Sequence, residues 1–345
     1  MSDKKTRNCS IDVFRYLCAI LVVAIHTSPF YDINENLGYI FNSVITRIAV
    51  PFFFAVAGYY YIGKLADGKK VFGQYVLRLV RLYGIWTAIY YLKDVFFLLL
   101  DMVSGESVSI GAFVREKVVG FLITGSADHF WYFPALIISV MLVTLIHKFG
   151  GIRLLIPLSI VVYIIGLFGT SYYSVGVQIP LLGDLYSWEN FNVLRRILFM
   201  GFPFFVSGYF VRKLEPVISS AGASYGLLAA GLVMFVGEIT LINIFELSTN
   251  IIITAGLYVL LCAVLLTLLR HPMPKLSGCA ALMRVEANFT YYSHPLVLVG
   301  FDLIDKFVGV SVTGTLLFVL TAAITFLLGF IISKCNNKFI RSLVS

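Results

Sequence analysis

Residues able to do chemistry are few in this chain, because most of it is apolar: 59% of its 345 residues are hydrophobic and 13% are charged. Nine ionisable residues fall inside long apolar runs: Asp12, Arg15, His26, Arg47, Lys93, Asp94, Glu238, His294 and Asp302. His129 stands at the edge of another run. Placing such a group in hydrocarbon costs about 2.5–3.5 kcal/mol or more, so each is a candidate for function. Arg15 and His26 are the sharpest pair. They are eleven residues apart, almost three whole helical turns, which places both on one helix face about 16 Å apart along its axis. A polar stripe on an apolar helix implies a hydrated hollow beside it. The imidazole, with an ordinary pKa near 6.5, suits a general base, and the guanidinium suits an oxyanion. Taken singly, Arg15 equally suits snorkelling to lipid phosphates, and His26 an interfacial cap.

Arg47 lies four residues before Pro51, where the missing N–H frees backbone groups. An arginine beside a broken helix marks small-substrate sites, with Glu238 as the carboxylate nearest it in depth; a structural ion pair is the alternative. His294 precedes Pro295, which predicts a kink, and a packing histidine is the other reading. Lys93 and Asp94 are adjacent and should point to different faces, each paired separately or interfacial. Trp131 and the many tyrosines read mostly as belt and packing residues. No metal-ligand cluster, phosphate loop or Ser/His/Asp spacing stands out.

The elements that must position these residues are membrane helices. Soluble domains carry about a quarter charged residues, roughly twice the share here, and mean hydropathy is +0.92. Backbone groups in lipid must pair internally, and the apolar runs lack period-2 alternation, so helices rather than a barrel are expected. The runs give ten spans in one all-α membrane domain covering 1–345: 10–27, 37–63, 82–100, 130–147, 154–169, 197–211, 223–243, 250–269, 288–304 and 312–333. Of the 26 Lys and Arg, eighteen fall on the side of the N-terminus, five on the other, and three within spans. That bias predicts both termini in the cytoplasm. The net charge of +8 is then explained by topology and anionic lipid, not by nucleic acid. The first run contains Asp12 and Arg15 and lacks a small-residue cleavage site, so it reads as a retained span. No cysteine falls in an outer loop, and no extracellular disulfide is expected. Segment 170–192 reads as an interfacial loop or an entrance lining, and 101–129 as an interfacial loop with a possible amphipathic helix at 110–124. Phe54–Tyr59 and Phe204–Tyr209 echo one another, each with a small-Gly step that lets helices approach closely.

Arg15, ten residues and then His26, preceded by Ile11-Asp12-Val13-Phe14, resembles the first span of the acyltransferase-3 family. Similar motifs follow in order: Pro51-Phe52-Phe53-Phe54 with Gly58-Tyr59, Arg78 and Arg81 before the third span, His129-Phe130-Trp131-Tyr132-Phe133-Pro134 at the fourth, Phe204–Tyr209, and Tyr291-Tyr292-Ser293-His294-Pro295 in the ninth. The resemblance implies a ten-helix bundle moving an acyl group from cytoplasmic acyl-CoA to an extracytoplasmic hydroxyl. Arg78 and Arg81 would meet the phosphates of acyl-CoA, Arg15 its pantetheine or phosphate end, and His26 would be the general base. Within the family, residues 47–54 and 129–136 resemble the membrane domains of the serine racemases of vancomycin resistance. That implies L-serine binding or transport in a bacterial cytoplasmic membrane, serving a fused cytoplasmic racemase domain with pyridoxal phosphate, for which these 345 residues leave no length. In that case Arg15 or Arg47 would hold the serine carboxylate and Glu238 or Asp302 its amine, while His26 and His294 would couple protons. The closer resemblance puts serine handling first and acyl transfer second. Neither reading places a bound cofactor or metal in this chain.

Overall fold

The first helix, α1 (Cys9–Thr27), starts where the Asn8 side chain accepts the Ser10 N–H at 3.0 Å, satisfying one of the donors that a helix start leaves open. The same asparagine donates to the Leu268 carbonyl at 2.8 Å, and the Ser10 hydroxyl donates to the His271 carbonyl at 2.7 Å. The start of α1 is thereby tied to the end of a later helix. The computed structural model describes residues 8–218, 220–248, 250–337, 340 and 342–344. Five of the basic residues counted for orientation, Lys4, Lys5, Arg7, Lys338 and Arg341, lie outside them.

The helices of ten or more residues that follow are α2 (Glu35–Ala66), α3 (Phe72–Val103), the short α4 (Ile110–Val119), α5 (Asp128–Gly150), α6 (Ile152–Phe168), α7 (Phe191–Leu214), α8 (Ala221–Ile244), α9 (Ala255–Arg270), α10 (Ser277–Val308) and α11 (Gly314–Lys334). Among the described residues there is no strand. Six helices, α1, α2, α5, α7, α8 and α11, are long and apolar enough to cross a membrane; α6 and α9 are apolar but shorter. Each of the ten expected spans overlaps one of these helices, though 250–269 starts five residues ahead of α9.

Three stretches widen into π-helical turns: Ile40–Val44 in α2, Gly120–Thr124 after α4, and Arg195–Gly201 in α7. Prolines follow two of them, Pro51 and Pro203, and a proline withholds the N–H that would bond the carbonyl four residues back. Polar side chains take up the loosened carbonyls of α2. Thr46 donates to the Asn42 carbonyl at 2.6 Å and Arg47 Nε to that of Ser43 at 3.2 Å.

Helices α2 and α7 cross where the echoed segments meet. A Cβ on Gly58 would collide with the Phe205 carbonyl, and one on Gly208 with the backbone of Ala55 and Tyr59. Helices α8 and α9 cross in the same way at Gly231 and Gly256. Helix α1 packs along α10, and α10 against α11. Two-thirds (67%) of the apolar window of α7 is buried, against 22% in α8 and 17% in α11. Helix α7 is therefore central, while α8 and α11 turn most of their surface outward.

The structure departs from the sequence reading in two long helices. Helix α3 begins at Phe72, ten residues before the expected span, so Arg78 and Arg81 lie on its first turns rather than in a segment before it. Helix α10 begins at Ser277 and carries Glu286 on a helix instead of in a loop. Lys93 and Asp94, expected to part, join at 2.6 Å, with Lys117 on the other Asp94 oxygen at 2.8 Å. Long side chains bend toward one carboxylate more easily than their Cβ directions suggest.

Candidate functional site

Three imidazoles from three helices converge. His26, at the last turn of α1, lies 5.1 Å from His294 of α10 between ring centroids and 6.5 Å from His129 of α5; His129 and His294 are 5.1 Å apart. His129 and His294 are buried, but His26 is exposed, so it is the one ring of the three at the protein surface. Among the described residues nothing hydrogen-bonds the His26 nitrogens, and the Asp128 carboxylate lies within electrostatic reach of its ring.

Pro295 sets the state of His294. Having no N–H, it leaves the Tyr291 carbonyl without its usual helical donor. His294 Nδ1 lies 3.0 Å from that carbonyl and 3.0 Å from the Thr290 carbonyl. Both partners only accept, so Nδ1 carries the proton, and Nε2, which has no partner, is left with a lone pair. His129 Nε2 is likewise buried without a partner. Two tyrosines hold this arrangement: Tyr291 donates to the His129 carbonyl at 2.5 Å, and Tyr90 of α3 to the Tyr292 carbonyl at 2.8 Å. Among the described residues no three His, Cys, Asp or Glu are grouped to hold a metal.

Arg15 faces the same helix as His26 does, three turns earlier. Its guanidinium donates to Asn288 Oδ1 of α10 at 3.0 Å and lies 6.0 Å from the Phe53 ring centre. Asn288 in turn donates to the Val344 carbonyl at 2.8 Å. Arg15 and Arg78 both act electrostatically on Tyr75 and Tyr292, which gathers two cations and two phenols at this end. Arg81 is exposed one turn further along α3.

Arg47 is not in this group. It lies in the electrostatic field of Arg195 on α7, and its expected partner Glu238 is engaged elsewhere. One Glu238 oxygen accepts the Ala255 N–H at 2.9 Å and the Tyr172 hydroxyl at 3.0 Å; the other accepts the Gly256 N–H at 2.6 Å. A carboxylate on the first N–H groups of α9 satisfies open donors and meets the positive end of the helix dipole. That role was invisible in sequence, because the two residues that place it are seventeen positions apart. Trp131, two residues after His129, has Arg196 5.7 Å above its ring centre and Phe54 at 6.2 Å. Asp302 is exposed near the end of α10.

Sequence reasoning passed over Asp128, Asn288, Tyr90 and Glu286. Only Asp128 carried a local signal, as the neighbour of His129. Glu286 is fully buried against Gly329 of α11, and neither of its oxygens has a partner among the described residues. It shares one face of α10 with Thr290 and His294, at successive intervals of four residues.

The acyltransferase domain family matches residues 8–334. An amino-acid racemase of Enterococcus faecalis is 31% identical over 350 residues, covering 97% of this chain and 47% of that protein. A serine/alanine racemase of Enterococcus gallinarum is 31% identical over 175 residues, 51% of this chain and 25% of that protein. The chain spans about half the length, at most, of these curated relatives. No solved structure matches it significantly. With its apolar helices, the match over nearly the whole chain makes this a multi-pass membrane protein that belongs to the acyltransferase-3 family.

Proposed function

We propose that this chain is a ten-span acyltransferase with both termini in the cytoplasm, which takes an acyl group from cytoplasmic acyl-CoA and passes it to a hydroxyl on the outer side. The observation that carries the reading is the exposed His26 beside two buried imidazoles, its ring nitrogens without a hydrogen-bond partner among the described residues, on the same helix as Arg15. In this reading Arg78 and Arg81 meet the phosphates of acyl-CoA at the inner end, as forked donors suited to them. Arg15, steadied by Asn288, holds the arm as it enters the bundle. The run of about 16 Å from Arg15 to His26 brings the thioester to the imidazole.

His26 takes the proton of the acceptor hydroxyl as its oxygen attacks the thioester carbonyl. The new C–O bond forms, the C–S bond breaks, and the imidazolium returns the proton to the leaving thiolate. Asp128, within reach of the ring, offsets the charge that builds on it. His294, fixed with a lone pair on Nε2, keeps the hollow polar beside the base.

A second reading, L-serine binding or transport for an attached racemase, is favoured by the names of the relatives. It needs a carboxylate for the serine amine close to an arginine for its carboxylate; Glu238 is occupied by the start of α9, Asp302 is exposed, and Asp128 sits at His26, three helical turns from Arg15. Acyl transfer therefore ranks first. Purified protein in liposomes should release free CoA thiol from acetyl-CoA in the presence of an acceptor, and His26→Ala should reduce this at least 100-fold. Absence of thiol release together with His26-dependent accumulation of labelled L-serine would reverse the ranking.

A further inference from the structure

A polar cavity, one wall of which is Trp131, takes no part in the mechanism above. It encloses about 300 Å³ and is lined by Thr124, Trp131, Asn192, Arg195, Arg196 and Asn250, with apolar walls from Ile123, Val193 and Ile197. We propose that it binds an oxyanion, a carboxylate or phosphate group carried by the molecule that approaches His26 from that side.

Charge is the first argument. Arg195 is only 8% exposed, and its Nε has no hydrogen-bond partner among the described residues. Both Arg196 and Arg47 act on it with like charge. Among the described residues no Asp or Glu forms an ion pair with any of the three, and none lines the cavity. Buried cations held together without a counter-charge are costly unless something neutralises them. The forked guanidinium suits the two oxygens of a carboxylate or phosphate better than a spherical ion. Thr124, Asn192 and Asn250 add neutral donors and acceptors for the rest of the ligand.

Construction is the second argument. Two of the π-helical turns, Gly120–Thr124 and Arg195–Gly201, supply lining residues, and the third, Ile40–Val44, leads into Arg47. Such turns are rare in helices and collect at functional sites. Arg196 lies over the Trp131 ring, which fixes its guanidinium at the wall. Trp131 follows His129 by two residues, so the cavity wall and the imidazole group are built by the same turn at the start of α5. The volume is at the low end for ligand pockets, which suits a small acid or a headgroup rather than a nucleotide.

The test is binding, with the full chain purified into phosphatidylcholine nanodiscs. Inorganic phosphate and sodium acetate are titrated while tryptophan fluorescence is followed. Saturable binding is expected for at least one of them. Affinity should fall on the order of tenfold in Arg195→Gln and in Arg196→Gln, and stay within a few-fold in Arg195→Lys. Arg196 is only half-buried, so its variant carries the test if Arg195→Gln does not fold. In nanodiscs of equimolar phosphatidylcholine and phosphatidylglycerol, a weaker apparent affinity assigns the site to a lipid headgroup. An unchanged affinity assigns it to a soluble anion. Equal binding by wild type and both glutamine variants, or an equal response to glycerol, overturns the proposal. His26→Ala should bind phosphate as wild type does while losing thiol release, which separates failure here from failure of the acyl-transfer reading.

Discussion

At the scale of single residues, the imidazoles divide by what their nitrogens already do. His294 Nδ1 is committed to two carbonyls beside Pro295, so its removal damages the helix as well as the site. His294→Leu should cost about 1–3 kcal/mol, the penalty for leaving buried acceptors unpaired, and appear as a lower melting temperature in detergent along with reduced activity. His26 supports no backbone. His26→Ala should leave melting nearly unchanged while abolishing turnover, and that split between stability and rate marks the base. Asn288→Ala removes the partner of a charged donor. It should raise KM for acyl-CoA several-fold with little change in kcat, because Arg15 acts on binding and not on the reacting bond. The Arg15–His26 pair was legible in sequence because both sit on one helix, whose periodicity fixes their relative direction. The meeting of His26 with His129 and His294 was not legible, since 103 and 165 residues separate His129 from its two neighbours in sequence and only packing joins them.

At the scale of elements, close backbone approach sets the centre of the bundle. The small-Gly steps in Phe54–Tyr59 and Phe204–Tyr209 pack on one another, so that Gly58 and Gly208 each leave room for the other helix's backbone. Helix contacts of this kind depend on small residues, because lipid offers no hydrophobic drive for association. Gly208→Ala would push a methyl into the backbone of Ala55 and Tyr59. It should destabilise by about 1–3 kcal/mol, the usual cost of overpacking, read as a drop in detergent melting temperature. Gly237→Ala, where nothing lies within 4 Å of the added carbon, should be neutral or slightly stabilising. The echo was visible in sequence as a motif but its cause was not, because one chain pattern cannot say whether two like segments touch. Helix edges were least legible where breakers are missing. Nothing between Phe72 and Leu82 stops a helix, so α3 runs on beyond the apolar stretch that marked it.

At the scale of the whole molecule, the first connecting loop is tied to the last helix. Asp32 accepts the Thr315 N–H at 3.1 Å and its hydroxyl at 2.6 Å, and that hydroxyl also accepts the Phe30 N–H at 2.8 Å. The Thr315 hydroxyl holds the Asp32 carboxyl below its ordinary value of 3.8, with the backbone N–H adding to the effect. The proposed topology puts this latch on the outer side, and impermeant maleimide should therefore label Ser107→Cys but not Lys69→Cys in intact cells. The sign of the pH effect follows from linkage. A carboxyl whose pKa is lower in the folded state binds fewer protons there than in the unfolded chain. Its stabilising effect is complete above the unfolded pKa and is lost as pH falls through the folded one. Asp32→Asn should therefore melt below wild type near neutral pH, and the gap should start to narrow as pH falls past the unfolded value and close only below the lower, folded value, where the folded wild type carries the neutral acid. A gap that stays constant as the carboxyl protonates would mean that the latch works through shape rather than charge. In sealed, uniformly oriented vesicles the gap should respond to acid on one side only, and that side must be the one from which maleimide reaches Ser107→Cys, because the latch and residue 107 lie beyond the same face of the bundle if the ten-span path is right.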